Sequence, residues 1–386
     1  MLRSSFFLPQ KISRFRISKP SSKHKLRICR FCVLQKRRQN LLKFCNKIDC
    51  DTIVAFEPEN LYYMTGFWGE AIGILDKNGT TIVSPELEMG RAKEDSTDCK
   101  IVKSERGKGS LSTLIGLLKG KKICTDSNNY DVIQTLKKSI PYVKSTTEPF
   151  YRAREVKDTS EISILRKASS ILDEMYELCV DEIKIGQSES DLQTILMSYA
   201  MEKEAFATGY KSTLNPLIIA GGPNSALPHA QVTKRKFASG DMIVVDLTLR
   251  YKGYVSDATR TFGLGTVSSE AKKVYEIVKQ SQEAGLKAIK PKISCKSIDD
   301  VCRKIISKKG YGKYFIHSTG HGIGLEVHEL PCLSPLSKTN LEKNMAITVE
   351  PGIYLPNKFG VRIEDSVIVN NKVDVMHKFT KDLIVI

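Results

Sequence analysis

The chain has 386 residues, of which 41% are hydrophobic and 27% charged, so it contains enough apolar material for two folded domains. This composition excludes a chain that is disordered throughout, and no apolar run reaches the roughly 18 residues of a membrane span. The net charge of +17 is concentrated in residues 1–48, which hold 14 Lys or Arg and no acidic residue. The other 46 basic and 43 acidic residues nearly balance, which argues against a nucleic-acid-binding protein.

The basic tail, residues 1–36, has three interpretations in this order of preference. The first is an over-extended start of the reading frame, since the alternative start codons GTG and TTG would encode residues such as Val33 and Leu34. The second is an organellar transit peptide, because the tail is rich in Ser and basic residues and lacks acids. The third is a polybasic arm that binds a membrane surface or nucleic acid. All three place most of the tail outside the fold, which we expect to begin near Arg37.

Ten cysteines show no pairing pattern, and Cys29 and Cys32 form the only C-x-x-C motif. A zinc site would need a second pair at zinc-site spacing, and none follows. We therefore interpret the motif as a chance pair in the tail. Scattered cysteines without a hydrophobic signal sequence indicate a reducing compartment. We expect a cytoplasmic protein, or an organellar one if the tail is a transit peptide.

Residues 37–148 predict a small α/β domain. Strands are expected at 52–56, 71–75 and 80–84, and the last two are joined by the hairpin signal Asp76-Lys77-Asn78-Gly79. Helical patterns follow at 111–119 and 130–139. No arrangement of a nucleophile and a base is visible in this segment.

Residues 149–386 predict a second domain, in which helices pack beside an antiparallel sheet, so that the fold class is α+β. Helices are expected from Thr159 onward, over 188–203 and over 269–290. Long strands with tight turns follow these helices.

Four of the six histidines lie within about 100 residues of one another, together with four acids in apolar surroundings. Asp246 lies inside a buried-strand pattern, and a hairpin that turns at 251–252 would place it directly opposite Asp257. Glu350 and Glu364 would face each other in the same way across a hairpin centred on residue 357.

Directly opposed carboxylates destabilise a pair of strands unless they share a proton or a cation. Two such pairs, with histidines between them in the sequence, indicate a bound divalent metal. Four carboxylates and one histidine suit two cations that share bridging oxygens. Four solvated surface acids are a poor alternative, because their neighbours are apolar and burying unpaired charges costs too much free energy.

His321 lies in the glycine-rich segment Thr319-Gly-His-Gly-Ile-Gly. A phosphate-binding loop would lead into a helix, whereas 325–328 is expected to continue as a strand and Pro331 follows. We interpret the glycines as positions of close backbone packing that direct His321 toward the metals.

Five segments in this order resemble the pita-bread metallopeptidases, and most closely the Xaa-Pro dipeptidases (prolidases) and aminopeptidase P. They are Asp246, 256–261, 320–324, 349–354 and 362–365. The resemblance covers residues 149–380 and implies a C-terminal pita-bread domain, in which helices pack on a curved antiparallel sheet. More weakly, the segment from Arg37 onward resembles the creatinase/prolidase N-terminal domain, with its clearest likeness at 62–67.

The resemblance implies a role for each of the four carboxylates and for His321. Asp246 would bind one metal ion and His321 the other, while Asp257 and Glu364 would bridge the two. Glu350 would bind metal and would also carry protons during catalysis.

The remaining candidates would act on the substrate or support the metal ligands. His229 and His328 would be catalytic and substrate-binding residues near the scissile amide, where they would stabilise the carbonyl and the oxyanion. His317 would line the substrate pocket, and Arg362 would support the carboxylates from behind. For His317 and Arg362 a purely structural role remains open.

The resemblance also implies an exopeptidase that cleaves the bond before a proline in second position. Some archaeal prolidases have an Arg four residues after the equivalent of His328, where it would pair with the carboxylate of a dipeptide. Here that residue is Cys332. The difference favours aminopeptidase P, which accepts longer peptides, and prolidase is the first alternative.

Two further alternatives are methionine aminopeptidase, which usually lacks this N-terminal domain, and a metal-free pita-bread module that binds peptides, which loses the ligands kept here. The oxygen-rich ligand set predicts two manganese ions, and cobalt, iron and zinc remain open. The expected partners are peptides with proline in second position and a second copy in a homodimer. No nucleic acid and no membrane span is expected.

Overall fold

The computed structural model describes residues 22–208 and 217–386, so residues 1–21 of the predicted tail and the side chain of Cys29 lie outside the described part. Both halves of the chain mix helices and strands. The N-terminal half contains α1 (Ser22–Lys47), β1 (Thr52–Ala55), α2 (Pro58–Thr65), β2 (Ile72–Asp76), β3 (Gly79–Pro85), α3 (Met89–Asp95), β4 (Lys100–Ser104), α4 (Lys108–Leu117), β5 (Lys122–Thr125), α5 (Tyr130–Ser139) and β6 (Tyr142–Ser145).

One six-stranded sheet organises the N-terminal half, in the order β4-β3-β2-β1-β5-β6. The pairs β1–β2 and β2–β3 are antiparallel, and the other three pairs are parallel. The predicted hairpin is confirmed, because Asp76 pairs with Gly79. Parallel strands need crossover connections, and helices α3, α4 and α5 cover the sheet.

Helix α1 begins at Ser22, upstream of the fold start expected near Arg37. Leu34 and Leu41 are buried, and the guanidinium of Arg38 donates hydrogen bonds to the backbone carbonyls of Met64 and Thr97. The described end of the predicted tail is therefore packed against the N-terminal domain.

The C-terminal half contains α6 (Glu148–Arg154), α7 (Thr159–Glu182), α8 (Glu189–Glu202), β7 (Ala205–Ala207), β8 (Ile218–Gly221), β9 (Met242–Tyr251), β10 (Tyr254–Gly263), α9 (Ser269–Ala288), α10 (Cys295–Lys308), β11 (Gly320–Gly322), β12 (Glu329–Leu333), β13 (Ala346–Val349), β14 (Gly352–Leu355), β15 (Phe359–Arg362), β16 (Asp365–Ile368) and β17 (Asp374–Val375). Helix α7 begins as expected at Thr159, because Asp158 and Glu161 form a reciprocal capping box there.

Three groups of strands form the C-terminal half: β10-β9-β7 with β8 also paired to β9, then β12-β11-β13-β16-β17, and the hairpin β14-β15. Helices α7 and α8 bury Leu172 and Leu196 against strand β9. Helices α9 and α10 bury Val278 and Ile298 against the second group of strands. The helices thus pack against the strands, and the strands and their connections supply the residues of the candidate site.

The structure differs from the sequence-based expectation at two places. The amphipathic helix α10 was not predicted, and residues 325–328 do not form a strand. The second difference has a physical reason. The backbone N–H groups of Leu325 and Glu326 donate to the carboxylate of Glu329 and so need no neighbouring strand. Within the described residues, no helix combines the length and the apolar character needed to cross a lipid bilayer.

Candidate active site

The five predicted metal ligands converge on one cavity of about 450 Å³. Asp246 lies on β9, Asp257 on β10 and His321 on β11, while Glu350 directly follows β13 and Glu364 lies between β15 and β16. We call these five side chains the carboxylate cluster. His229, His317, His328, Cys332 and Arg362 also line the cavity. The volume lies within the range of small-molecule sites.

The predicted pairing of Asp246 with Asp257 was wrong by two residues of register. Asp246 lies opposite Thr259, and Asp257 lies opposite Thr248. The hairpin turns at Lys252–Gly253, where both residues have positive φ, 46° and 88°. Turns with two positive φ angles match the twist of the strands and favour Gly in second place, so Gly253 belongs to the turn.

The corrected register keeps both aspartates on one face of the sheet. The side chains of a strand alternate between faces, so a register shift of two residues leaves both side chains on the predicted face. Asp246 and Asp257 are therefore diagonal neighbours, and Thr248 donates a hydrogen bond of 3.1 Å to Asp257.

The predicted register around Glu350 and Glu364 agrees with the structure. Val349 pairs with Asp365 on one side of them, and Gly352 pairs with Arg362 on the other. Glu364 also forms an isolated bridge to Thr259, whose hydroxyl donates to its carboxylate at 2.7 Å. The two hairpins are therefore joined at the site.

The ligand atoms are close enough to share a cation. Single atoms of Asp257, His321 and Glu364 lie within 4.8 Å of one another. The Nε2 atom of His321 lies 3.4 Å from Glu350 Oε1 and 3.8 Å from Asp257 Oδ2. Its Nδ1 atom lies 3.0 Å from the carbonyl of Gly322, so Nδ1 carries the proton and Nε2 offers its lone pair to the cavity.

The carboxylate cluster carries more negative charge than the positively charged side chains around it can neutralise. Burial raises the pKa of Asp257 and of Glu364 well above the usual range, and the neighbouring carboxylates raise both further. Burial also raises the pKa of Glu350 to about 7, against the lowering effect of Arg362. Asp246 Oδ1 and Glu364 Oε1 are buried without a hydrogen-bond partner among the described residues. Buried acceptors without donors, on oxygen-rich side chains, fit divalent cations.

Arg362 contacts the carboxylate cluster through Asp246. Its guanidinium forms an ion pair of 2.6 Å with Asp246, and it donates to Thr259 at 3.0 Å and to the hydroxyl of Tyr354 at 2.8 Å. Arg362 is the only Lys or Arg among the described residues that line the cavity.

The other histidines occupy different parts of the same cavity. His317 is held by Tyr354, whose hydroxyl lies 2.9 Å from its Nε2, and burial lowers its pKa to about 4. The ring of His328 meets that of His321 edge to face at 4.3 Å between centroids. His229 and His328 are exposed toward the cavity side of the molecule, as a substrate contact requires.

The glycines beside His321 provide close packing, as predicted. A Cβ atom at Gly320 would collide with the carbonyl of Thr348, and one at Gly322 would collide with the carbonyl of Leu330. The backbone of His321 also donates to Thr348 Oγ1 at 3.1 Å. The close approach of three strands therefore fixes the direction of the His321 side chain.

Sequence reasoning missed Arg260, which binds the cluster to the C-terminal segment. It is 2% exposed and donates to the carbonyls of Thr259, Glu364, Phe379 and Thr380 and to the carboxylate of Asp365. All five guanidinium N–H groups are therefore used. An arginine between two threonines in a fully buried strand was the available signal.

A second group of buried charges, which we call the junction cluster, was also missed. Arg154 forms ion pairs with Glu326 and with Glu329, the latter at 2.8 Å, and donates to Asn60 in the N-terminal domain. Lys157 binds the other oxygen of Glu329 at 3.0 Å. Since Glu329 follows His328 directly, this cluster connects the N-terminal domain to the wall of the cavity.

Comparisons with known proteins agree with this architecture. The model of metallopeptidase family M24 matches residues 163–371, and that of the creatinase/prolidase N-terminal domain matches residues 37–156. The chain is 34% identical to an Xaa-Pro dipeptidase of Pyrococcus furiosus over 346 residues, 87% of this chain and 95% of the relative.

Two solved structures extend the comparison. An Xaa-Pro dipeptidase from Bacillus anthracis is 32% identical, with a TM-score of 0.85 over 92% of this chain and 100% of that one. An X-Pro aminopeptidase from Thermotoga maritima is 29% identical, with a TM-score of 0.81 over 90% of this chain and 99% of that one. The predicted resemblance and the α+β fold with a C-terminal pita-bread domain are confirmed.

Proposed function

The chain belongs to metallopeptidase family M24 and is a peptide-bond hydrolase, and we propose that it is an Xaa-Pro dipeptidase. The observation that carries this proposal is the likeness to the Pyrococcus furiosus Xaa-Pro dipeptidase, which extends along 95% of that protein. The sequence favoured aminopeptidase P, with prolidase as the alternative, and the comparisons support the alternative better.

The family implies a divalent metal, and the carboxylate cluster fits one. We propose that the five side chains Asp246, Asp257, His321, Glu350 and Glu364 would hold two such ions. The set offers four carboxylates and one imidazole, which suits manganese, while cobalt, iron and zinc are alternatives. Such cations activate water at neutral pH and polarise a carbonyl group.

The side chains of the cavity would then divide the remaining work. His229 and His328 would donate hydrogen bonds to the carbonyl oxygen of the scissile bond and stabilise the charge that develops there. Glu350 would accept a proton from the attacking water and pass it to the proline nitrogen as the C–N bond breaks. The products are a free amino acid and proline.

Two residues would position these groups. His317, fixed by Tyr354, would contact the substrate, and Arg362 would hold the carboxylate of Asp246 in place through their 2.6 Å ion pair. Proline offers no N–H group, so recognition must come from the shape of the cavity and from its histidines.

Aminopeptidase P activity is the second candidate, and Cys332 favours it. Cys332 lines the cavity and lies opposite His321 on the neighbouring strand. A thiol forms no ion pair with the carboxylate of a dipeptide. The likeness to the X-Pro aminopeptidase from Thermotoga maritima supports the same candidate.

Rates on an Xaa-Pro dipeptide and on an Xaa-Pro-Xaa tripeptide, measured with manganese-loaded full-length protein and a chelated control, distinguish the two. We expect a higher kcat/KM on the dipeptide, and Cys332→Arg should raise the dipeptide-to-tripeptide ratio about tenfold through a charge-assisted hydrogen bond. Cys332→Ala is the matched control. A preference for the tripeptide would establish aminopeptidase P instead. Inactivity on both, with metal bound, would contradict an Xaa-Pro specificity and favour methionine aminopeptidase or peptide binding.

Three finer expectations stay predictions. They are a homodimer, a cytoplasmic location, and a domain boundary that separates residues 37–148 from residues 149–386.

A further inference from the structure

Three cysteine side chains meet inside the N-terminal domain, far along the chain from the catalytic residues. Cys45 lies in the last turn of α1, Cys50 lies in the loop before β1, and Cys124 lies on β5. Cys45 and Cys124 are completely buried, and Cys50 is 3% exposed. The catalytic cavity is lined only by residues from Tyr151 onward among those described, so these thiols have no part in the proposed reaction.

Two of the thiols are already in contact. The Sγ atoms of Cys45 and Cys124 lie 3.4 Å apart, although the residues are 79 positions apart in sequence. A disulfide needs about 2.05 Å between the sulfurs, so the two sulfurs must approach each other by roughly 1.4 Å to form the bond. Cys50 and Cys124 also interact, whereas the three sulfurs do not form a group within 4.8 Å of one another among the described residues. The geometry therefore suits a pair of thiols better than a three-thiolate metal site.

The pair lies just beneath a short surface loop. Cys45 accepts backbone hydrogen bonds from Ile48 and Cys50, which close the end of α1, and Asp49 and Asp51 on either side of Cys50 are exposed. Asp49 has a positive φ of 58°, which is uncommon for a residue with a side chain. Fraying of one helix end would therefore expose the sulfurs to a small solute.

We infer that Cys45 and Cys124 form an oxidisable pair, which hydrogen peroxide converts to a disulfide that joins α1 to β5. One sulfur attacks a peroxide oxygen, the O–O bond breaks, and the leaving hydroxide departs as water with the thiol proton, which leaves a sulfenic acid. The second sulfur attacks the sulfenic sulfur, the S–O bond breaks, and a second water leaves with the remaining thiol proton. Two electrons pass from the thiols to peroxide.

The environment makes this reaction slow and selective. The hydrogen bond with Cys45, together with burial, raises the pKa of Cys124, and burial raises the pKa of Cys50 to about 11. Thiolates are therefore scarce at neutral pH. Once a sulfenic acid forms, however, the partner sulfur is in contact with it, so a disulfide forms before further oxidation.

The test is peptide mapping of the full-length, metal-loaded protein after treatment with millimolar hydrogen peroxide. Residual thiols are alkylated in denaturant, and the digest is analysed without reduction. We expect a Cys45–Cys124 peptide pair that has lost two hydrogens, and a Tm higher by about 5 °C that dithiothreitol reverses. Oxidation of the exposed residues Cys32 and Cys332 is the control which shows that the peroxide reacted with the protein.

Cysteine variants identify which two residues form the disulfide. Cys50→Ala should keep the linked peptide and the rise in Tm, while Cys45→Ala and Cys124→Val should each abolish both. Cys45→Ala and Cys124→Val are tested separately, so the assignment can still be made if one of the two variants fails to fold. The inference is overturned if the linked peptide contains Cys50. It is also overturned if Cys45 and Cys124 are recovered as free thiols or sulfinic acids after Cys32 and Cys332 have been oxidised.

Discussion

The carboxylate cluster and the junction cluster both bury charges at the same cavity, yet they are built differently. In the junction cluster, Arg154 and Lys157 face Glu326 and Glu329, so positive and negative charges balance. In the carboxylate cluster, four acids face one guanidinium and a histidine whose pKa burial lowers to about 3. A balanced cluster is neutralised by its own side chains, whereas an unbalanced one is stabilised by binding protons or a cation.

The pKa values of the two clusters move in opposite directions. Burial would raise the pKa of Glu329, but Arg154 and Lys157 outweigh burial and lower it to about 2. The pKa of Asp257 is raised well above its usual range by burial and by Asp246. The same kind of side chain is therefore stabilised as an anion in one cluster and destabilised as an anion in the other.

The largest effect is expected for Asp257→Asn, because it removes a charge that both proposed metal ions would contact. We expect kcat/KM to fall by about 10³-fold, which corresponds to several kcal/mol of transition-state stabilisation. The Tm of the chelated protein should rise, since the variant removes an uncompensated anion. Steady-state kinetics and calorimetry check both results, with the exposed Asp300→Asn as the matched control. A drop in the Tm of the chelated variant would refute the charge imbalance.

The opposite result is expected for Glu329→Gln in the junction cluster. It leaves Arg154 and Lys157 buried without their shared carboxylate, which should cost about 3–5 kcal/mol of unfolding free energy. Urea unfolding of the chelated protein measures this cost. A loss below about 1 kcal/mol would show that the junction cluster is not important for stability.

The pH dependence of stability sharpens the contrast. The depressed pKa of Glu329 gives stability that is present above its ordinary value of 4.5 and is lost as the pH falls toward 2. The raised pKa of Asp257 gives the reverse sign, since stability is highest below its ordinary value of 3.8 and falls as the pH rises. Between pH 4.5 and 3, the unfolding free energy of Glu329→Gln should fall less steeply with decreasing pH than that of the wild type. An unchanged slope would contradict the assignment.

A smaller effect is expected for Arg362→Lys. A lysine is a point charge and does not bind Asp246, Thr259 and Tyr354 at once, so the carboxylate loses its fixed orientation. We expect metal affinity to fall about 10–100-fold, measured by calorimetric titration. Arg106→Lys, which changes an exposed ion pair with Glu70, is the control. Equal affinities in wild type and Arg362→Lys would leave Arg362 with a purely structural role.

The smallest effect is expected on the surface. Lys296 and Asp300 form an exposed pair one helical turn apart on α10. Lys296→Ala should change the unfolding free energy by only about 0.3–0.5 kcal/mol, because solvent and salt screen the pair. A change as large as that of Glu329→Gln would mean that burial does not separate the two kinds of ion pair.

Much of the fold could be predicted because periodicity and turn residues are local signals. The start of α7 at Thr159 and the helix over 130–139 follow directly from them. Helix α10 was missed although Cys295, Ile298, Cys302 and Ile306 have helical spacing, because two cysteines weaken its apolar pattern.

The site was predictable where one hairpin fixes two carboxylates, and less so where distant segments meet. The β9–β10 register was wrong because Gly253 belongs to the turn, yet parity kept Asp246 and Asp257 on one face. Arg260 and Arg154 bind segments more than 100 residues away, and a single sequence contains no signal for such a pairing.

The most direct test of the central claim is the number of divalent cations that the chelated protein binds. Titration with manganese, followed by calorimetry and elemental analysis, should give two ions per chain, a higher Tm on binding, and reduced binding in Asp257→Asn. Binding of no divalent cation, with a Tm unchanged by manganese, would contradict the conclusion that the carboxylate cluster is completed by metal.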